Sequence, residues 1–410
     1  MKRYFKRLLD KYYEFYILPD SSILTLDSEH LNVPTEKNSS PDYILLNGAV
    51  HYSKDVQELL GKLHGISSPR TRLVVSYYNN LWRPAIQLAT FLGFRKKQPD
   101  ENWIAPSDMV NLLHLSHFEL IHEEQRILMP IPIPIVSNLI NRWIAPLPVF
   151  NWFSVVNIAI AKPIFQPPQQ APTVSVVVAA RNEAGNIPAL FSRLPQMGGG
   201  TELIIIEGGS SDHTWEEILK WKSAHEGKID CKIAKQDGKG KGDAVRKGFA
   251  MAKNDILMIL DADLTVPPED LSKFYHALVT GKGDFINGSR LVYPLESEAM
   301  RFFNIIGNKF FALAFSFLLG QNFKDTLCGT KVLYRKDYEK IAKNRSYFGE
   351  FDPFGDFDLL FGAARTGLKI IELPIRYRNR TYGETNIQRW RHGMILLRMV
   401  IFAARKIKFI

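Results

Sequence analysis

The chain is poor in cysteine. It has two, Cys231 and Cys328, in 410 residues. That is too few for a disulfide framework, and a reducing cytoplasm is the setting such a composition suits. An uninterrupted apolar run of about 20 residues, the length that crosses a bilayer, is also missing. The start, MKRYFKRLLDKYYEFY, is basic and aromatic without a continuous apolar core, so no secretory signal is expected there. Polar groups break the two longest apolar stretches: Asn304, Asn308 and Lys309 within Phe302 to Leu319, and Arg398, Arg405, Lys406 and Lys408 within Gly393 to Ile410. Charges at the centre of a span are costly. Both stretches therefore read as amphipathic helices, lying on a membrane surface or packing as core and interface helices, with the surface favoured for the tail. The expected location is cytoplasmic, peripheral at the inner membrane face.

With 46% hydrophobic and 23% charged residues, the chain is globular and long enough for two domains. Residues 1–162 alternate strand and helix, which is α/β arithmetic. Strands are expected over Asp42 to Val50, Arg72 to Tyr78, Phe118 to His122 and Val155 to Ala161. Helices are expected over Ser53 to His64, Pro84 to Leu92 and Ser107 to Leu115, the last capped by Ser107 with Asp108 in its first turn. The stretches DYILLNG, TRLVVSYYNNLW, ENWIAPSDMVNLL and VVNIAIAKP resemble the second half of a class I methyltransferase domain. A nucleoside cofactor of that kind requires a glycine turn after the first strand, so that the backbone can approach the ligand. Ser21 to Asp27 contains no glycine and runs quickly into the DYILLNG strand. A shortened, cofactor-less remnant with a structural or regulatory role is expected. His114, His117 and His122 read as ordinary core or surface histidines, not as metal ligands.

Residues 163–172 form a proline-rich linker. The second unit, 173–392, opens with the strand Thr173 to Ala179, which ends in Ala180-Arg181-Asn182-Glu183. The next strand, Glu202 to Ile206, ends in Glu207-Gly208-Gly209-Ser210-Ser211-Asp212, and Asp212 or Ser211 is placed to cap the following helix. A third strand, Lys228 to Ala234, leads to the basic glycine loop Asp237 to Gly242. The fourth, Ile256 to Leu260, ends in Asp261-Ala262-Asp263, and Val266-Pro267-Pro268 stops it before a helix near Glu269. Residues 393–410 are expected as a basic amphipathic tail helix.

In open α/β sheets ligands bind at the carboxyl edge of the strands. Two carboxylates at such an edge suit Mg²⁺ or Mn²⁺, because they supply hard oxygens and leave room for water and phosphate. Taken alone they read equally as solvated groups in a turn. Beside them Glu207 can accept hydrogen bonds from a base or ribose, while Lys239, Lys241, Gly240 and Gly242 suit a diphosphate. The loop is not a phosphate-binding Walker A loop, since GKGKGD lacks its spacing and its terminal Ser/Thr. About +8 of the formal net charge of +10 falls after residue 165, which points to an anionic partner for this half.

The motifs VSVVVAARNE, IIEGGSSDHT, DGKGKGDA, MILDADL, NGSR, DTLCGTKVL and LPIRYRNRTYGETNI resemble, in their order, the inverting family 2 glycosyltransferases with a GT-A fold. The likeness spans about residues 173 to 392 and is nearest to the polyprenyl-phosphate sugar transferases of the dolichyl-phosphate mannose synthase kind. It implies a Rossmann-like mixed α/β sheet and a nucleotide-diphosphate sugar donor, a UDP- or GDP-hexose. Asp261 and Asp263 would hold Mg²⁺ or Mn²⁺. Ala180, Asn182, Glu183, Glu207, Ser210, Asp212, Lys241, Gly242 and Ala262 would line the donor pocket. Arg290, Arg301 and Arg380 would face the acceptor phosphate and the donor diphosphate, with Asp325, Thr330 and Arg376 on the acceptor side. The family usually has aspartate where Glu207 stands, and the long membrane region of many relatives is absent.

The implied chemistry follows from charge. Negative charge grows on the departing diphosphate, where a metal ion at Asp261 and Asp263 acts as a Lewis acid with Lys241 or Arg380 assisting. A polyprenyl phosphate acceptor is already anionic and needs no base. A sugar hydroxyl on a glycan would need one, and Asp356 or Asp358 is placed to serve; both equally suit the N-terminal charge of a helix. Arg376 to Arg380, followed by Thr381 to Asn386, has the composition of a loop that closes over diphosphate, with Tyr382 as a stacking surface and Gly383 as a hinge. No nucleic-acid motif accompanies these basic residues, so no nucleic acid partner is expected.

Overall fold

A computed structural model describes residues 2–34, 40–93, 102–294, 302–347, 356–383 and 389–410. The chain divides into two compact units. The first comprises Met1–Phe165 with Arg365–Gly367 and Ala404–Ile410, and the second Gln166–Ala364 with Leu368–Ala403.

The first unit is built on a five-stranded sheet of β1 (Ile23–Leu26), β2 (Tyr43–Asn47), β3 (Arg72–Tyr78), β4 (Phe118–Arg126) and β5 (Val156–Pro163), in the order β1-β2-β3-β5-β4. The first three strands are parallel, and β5 runs antiparallel to both β3 and β4. Apolar runs such as YILL in β2 are buried along their length, as parallel strands covered on both faces require. Leu46, Leu60, Val75 and Leu113 belong to one core. The helix Val56–Ile66 is capped by Asp55, whose carboxylate accepts from Glu58 N at 2.9 Å. The next expected cap is corrected. That helix starts at Pro106 with Ala105 as its N-cap, and Asp108 reaches back to accept from Ala105 N at 3.3 Å. Proline at the first helical position displaces Ser107 from the role, since its fixed φ suits the helix and its missing N–H costs nothing there.

The tail also departs from expectation. A helix runs from Arg389 to Ala403, but Ala404–Ile410 is part of the first unit. Lys408 is buried, with its ammonium 3.2 Å from Glu124, and Arg126 Nη1 donates to Lys408 O at 2.7 Å. Tyr16 also hydrogen-bonds Glu124. A buried carboxylate persists only when cations and donors surround it, and Lys408 supplies one. Its charge therefore faces protein, not a membrane.

The second unit holds a seven-stranded mixed sheet. Its strands are β6 (Val174–Ala180), β7 (Thr201–Glu207), β8 (Asp230–Lys235), β9 (Ile256–Asp261), β10 (Phe285–Ser289), β11 (Lys331–Tyr334) and β12 (Ile370–Pro374), in the order β12-β10-β11-β9-β6-β7-β8. Only β11 opposes its neighbours, β9 and β10; the other pairings are parallel. The helix after β7 starts at Thr214 with His213, which makes no side-chain cap, at the N-cap position. Asp212 nonetheless accepts from Thr214 N at 3.0 Å. The helix Phe302–Leu319 packs against Arg389–Ala403. It buries Phe311, Phe315 and Leu318 and exposes Ile306, Phe310 and Leu313, one apolar stripe on each side. No described helix is long and apolar enough to cross a membrane. Both cysteines are free, and burial pushes the Cys328 thiol up to about 12, which leaves it inert.

Candidate active site

Strand register assembles the site. β9, β6 and β7 are adjacent and parallel, with Ala179 opposite Asp261 and Ala180 opposite Glu207. The carboxyl ends of three strands thus place Asp261, Ala180 and Glu207 in a row. Because β11 runs the other way, its start brings Thr330 and Lys331 to this edge, and β10 and β12 bring Arg290 and Arg376.

After Asp261 the chain turns sharply, with Leu264 N donating to Asp261 O at 3.2 Å and Leu264 at φ +52°. A leucine with positive φ is uncommon, and such strain concentrates at functional sites. Asp261 is half-buried and pairs with Lys241 Nζ at 2.6 Å. Burial alone would raise its pKa, but Lys241, Lys331 and Arg290 hold it below the ordinary carboxylate value. Gly329, in the DTLCGT turn, rests on this pair. A Cβ there would lie 2.2 Å from both Asp261 Oδ2 and Lys241 Nζ, so any larger residue would have to displace this pair. Asp263 is oriented by Thr265, whose N and Oγ1 donate at 3.1 and 2.8 Å, and by Arg380 Nη2 at 2.6 Å. Tyr377 lies near both aspartates. Burial first, and then their charges, push its phenol up.

The residues expected around the nucleoside also converge. Asn182, at φ +57°, accepts from Ser211 N at 2.8 Å and donates its own N to Ser210 Oγ at 3.0 Å. Glu207 is buried and accepts from Ser210 N at 2.5 Å, so one carboxylate oxygen already holds the turn together. Glu183 is bridged by Arg380 Nη1 at 3.0 Å and Asn186 Nδ2 at 2.6 Å. Burial pushes its pKa up to about 7 despite the guanidinium. Asp212 stays below the ordinary range. Burial is outweighed there by hydrogen bonds from Thr214, Ala184 and Tyr382.

The segment Ile375 to Gly383 threads along this row. Ile375 N donates to Ser289 O, and Arg378 N donates to Thr265 O, each at 3.0 Å. Arg380 bridges Asp263 and Glu183, and Tyr382 OH donates to Asp212 at 3.2 Å. The Tyr382 ring lies against Gly185, where a Cβ would be 2.4 Å from it. The segment therefore crosses the residues expected to line the donor pocket. Glu384 to Asn386 lies outside the described residues, as does Arg301.

Other expected residues are placed differently. Arg290 is paired with Asp325. Its Nε and Nη2 donate to Asp325 at 2.6 and 2.8 Å, and Asn308 Nδ2, Arg290 N and Leu327 N add hydrogen bonds at 2.9, 3.0 and 3.1 Å. Asp325 is fully buried, and these donors hold its pKa at about 2 against the effect of burial. Expected as two acceptor contacts, the residues form one internal ion pair. Asp358 is buried and paired with Arg345 Nε at 2.7 Å. Arg376 is exposed, with its guanidinium 5.5 Å from the Tyr293 ring centre. Thr330 is buried, and its hydroxyl has no hydrogen-bond partner. Gly242 sits in the first turn of the helix Lys241–Met251. Sequence reasoning missed Asn308, Lys331, Arg345 and Tyr377. Lys331 and Tyr377 carried a signal, as the cation closing the DTLCGTK motif and the first tyrosine of LPIRYRNRTYGETNI.

The aspartates suit a hard divalent cation. Among the described residues no group of three or more His, Cys, Asp or Glu could enclose a metal ion. The protein offers two carboxylates, both already facing cations, and the remaining ligands would be phosphate oxygens and water. That is how Mg²⁺ is commonly held beside nucleotides.

Comparison with known proteins bears on this geometry. Residues 175–342 match the family described as Glycosyl transferase family 2. The dolichol-phosphate mannosyltransferase of Pyrococcus furiosus is 29% identical over 52% of this chain and 59% of its own length. The dolichyl-phosphate hexose transferase of Haloferax volcanii is 27% identical over 56% of this chain and 92% of its own. The chain thus spans less than two thirds of the first relative. Glucosyl-3-phosphoglycerate synthase of Mycobacterium tuberculosis, solved with Mn²⁺ and UDP, superposes on 58% of this chain and 80% of its own, with a TM-score of 0.42 and 17% identity.

Proposed function

We propose, from the match of residues 175–342 to the family described as Glycosyl transferase family 2, a metal-dependent inverting transfer of a hexose from a nucleotide-diphosphate sugar to a polyprenyl phosphate. The observation that carries it is the row at the sheet edge, where Asp261 and Asp263 stand beside Lys241 and Arg380. The nucleoside would lie among Glu183, Glu207 and Asp212. Lys241 and Arg380 would take the diphosphate, and their charges would be worth most where charge develops on the leaving group. Asp261 and Asp263 would hold Mg²⁺ or Mn²⁺, which supplies Lewis-acid stabilisation of that same charge. Tyr382 and Arg380 must move off Asp212 and Glu183 for a donor to enter, which gives the 375–383 segment the role of a closing loop.

A phosphate acceptor is favoured over a sugar hydroxyl. Of the two candidate bases that a hydroxyl would need, Asp356 and Asp358, Asp358 is buried and held by Arg345, whereas a phosphate brings its own charge. Membrane contact by the helices Phe302–Leu319 and Arg389–Ala403 is supported by their outward residues Phe310, Leu313, Met394 and Ile401. We read the first unit as the truncated methyltransferase-like remnant, with a structural role. The test is transfer of labelled hexose from UDP- and GDP-sugars to short-chain polyprenyl phosphate, with Mg²⁺ or Mn²⁺ and with chelator. Lipid-linked product that needs the metal and disappears in Asp263→Asn is expected. Donor hydrolysis with product only on a glycan hydroxyl would replace the acceptor assignment.

A further inference from the structure

Between β4 and β5 of the first unit, residues 127–153 contain a single charged side chain, Arg142. Five prolines and three short turns, Val136–Leu139, Ile140–Ile144 and Phe150–Phe153, keep this stretch from forming one helix. Its large side chains point outward. Ile135 is 84% and Trp152 63% exposed, and Ile131, Leu139, Val149 and Phe150 are exposed to half or more. A neighbouring turn and helix, Asn80–Trp82 and Arg83–Phe91, bury none of their residues and expose Leu81, Leu88 and Phe91. The two regions are joined: Trp82 Nε1 donates to Phe153 O and Asn79 Nδ2 to Trp152 O, each at 2.9 Å. Single exposed apolar residues need no explanation, but a contiguous patch marks an interaction surface.

The stretch is ordered by its own polar groups. Asn141 closes a ring with Met129, accepting from its N and donating to its O, each at 2.8 Å. Ser137 Oγ accepts from Ile133 N at 2.7 Å and donates to Ile131 O at 2.6 Å. Arg142 Nε donates to Phe409 O at 2.9 Å, and Trp143 stacks on Phe409. Hydrogen bonds closed within the stretch lower the cost of bringing its backbone into lipid. Alongside lies the helix Lys2–Tyr16, tied in where Asn141 Nδ2 donates to Tyr4 OH at 3.3 Å. It exposes Arg3, Lys6, Arg7 and Lys11 against Asp10 and Glu14.

We propose that residues 127–153, with Leu81, Leu88 and Phe91, are a docking surface that enters one leaflet of an anionic bilayer, with the Lys2–Tyr16 helix on its headgroups. Tryptophans among aliphatic side chains suit the boundary between headgroup and acyl chain, and adjacent cations add attraction to anionic lipid. A second copy is the poorer occupant, because a chain of net charge +10 does not complement the exposed cations beside the patch. The proposal stands independently of the glycosyltransferase reading and needs no sugar substrate to test.

The full chain is sedimented with phosphatidylglycerol-containing vesicles and with pure phosphatidylcholine vesicles, beside Ile135→Asp/Trp152→Ser and, separately, Leu219→Asp, an exposed leucine of the second unit. Binding to the anionic vesicles is expected to fall at least about tenfold in the double variant, the loss of two buried apolar anchors, while its thermal melt matches the wild type. Brominated lipid is expected to quench tryptophan fluorescence in the wild type and in Leu219→Asp, and much less in the double variant. Unchanged vesicle binding by a folded double variant would overturn the proposal. So would a lipid-free wild-type dimer that the double substitution disperses without altering vesicle binding.

Discussion

Arg380 and Arg290 stand at the same sheet edge, and each holds an aspartate at 2.6 Å. Surroundings separate them. The Arg380 side chain is 27% exposed, sits on a surface segment and divides itself between Asp263 and Glu183. Arg290 meets a fully buried Asp325 through two parallel hydrogen bonds, and Asn308 supplies a third. A part-exposed pair between separate segments costs little to open. A buried bidentate pair costs far more, because opening it strands a charge away from water. Equal distances therefore mark different roles. Arg380 sits in pairs that cost little to open, which suits the proposed exchange of carboxylates for phosphate, and Arg290 is tied to the turn that carries Gly329 and Thr330.

The sharpest break in that comparison is Asp325→Ala, expected to cost about 3–5 kcal/mol of stability by leaving Arg290 uncompensated. Denaturant unfolding measures it, and Arg290→Met/Asp325→Leu should recover much of the loss. Next, Arg380→Ala is expected to lower transfer about 10²–10³-fold, as removal of a transition-state donor does. Its melting temperature should stay close to the wild type, because a part-exposed pair contributes only about 0–1 kcal/mol. A large stability loss there would erase the distinction between the two arginines. Tyr382→Phe removes one hydrogen bond from the closed segment, worth about 1 kcal/mol. Donor KM should fall a few-fold, whereas a rise would mean that the hydroxyl holds the donor.

The smallest effect is that of pH. Glu183 titrates near 7 because burial disfavours its charge. Between the ordinary carboxylate value and 7, the folded protein holds a proton that the unfolded chain has released. This contribution to stability is therefore present at low pH and lost as pH rises through about 7. Over the same interval the ionising carboxylate strengthens its hold on Arg380 and repels diphosphate. Donor KM should climb as pH passes 7, and Glu183→Gln should flatten the climb.

Much of this arrangement was legible in the chain. Apolar runs ending in acidic or glycine-rich turns located β6, β7 and β9, and alignment of parallel strands then required Ala180, Glu207 and Asp261 to share an edge. What the sequence hid is pairing over distance. Asp325 lies 35 positions from Arg290 and Asp358 13 positions from Arg345, and no local pattern distinguishes such a carboxylate from one that is free. The apolar surface of the first unit was hidden for another reason. Prolines at alternate positions from 130 to 134 erase both the helical and the strand period, so its exposed face cannot be read from spacing. The tail misled through composition: Lys408 reads as a membrane-facing cation, yet it is consumed by Glu124.

The most direct measurement is calorimetric titration of the full chain with UDP- and GDP-hexoses, with and without Mn²⁺, beside Asp263→Asn and Asp325→Asn. Saturable binding of one donor class that needs the divalent cation, is lost in Asp263→Asn and survives in whatever fraction of Asp325→Asn remains folded is expected. Donor binding that ignores both Mn²⁺ and Asp263→Asn would contradict the assignment of the Asp261–Asp263 edge as the donor site.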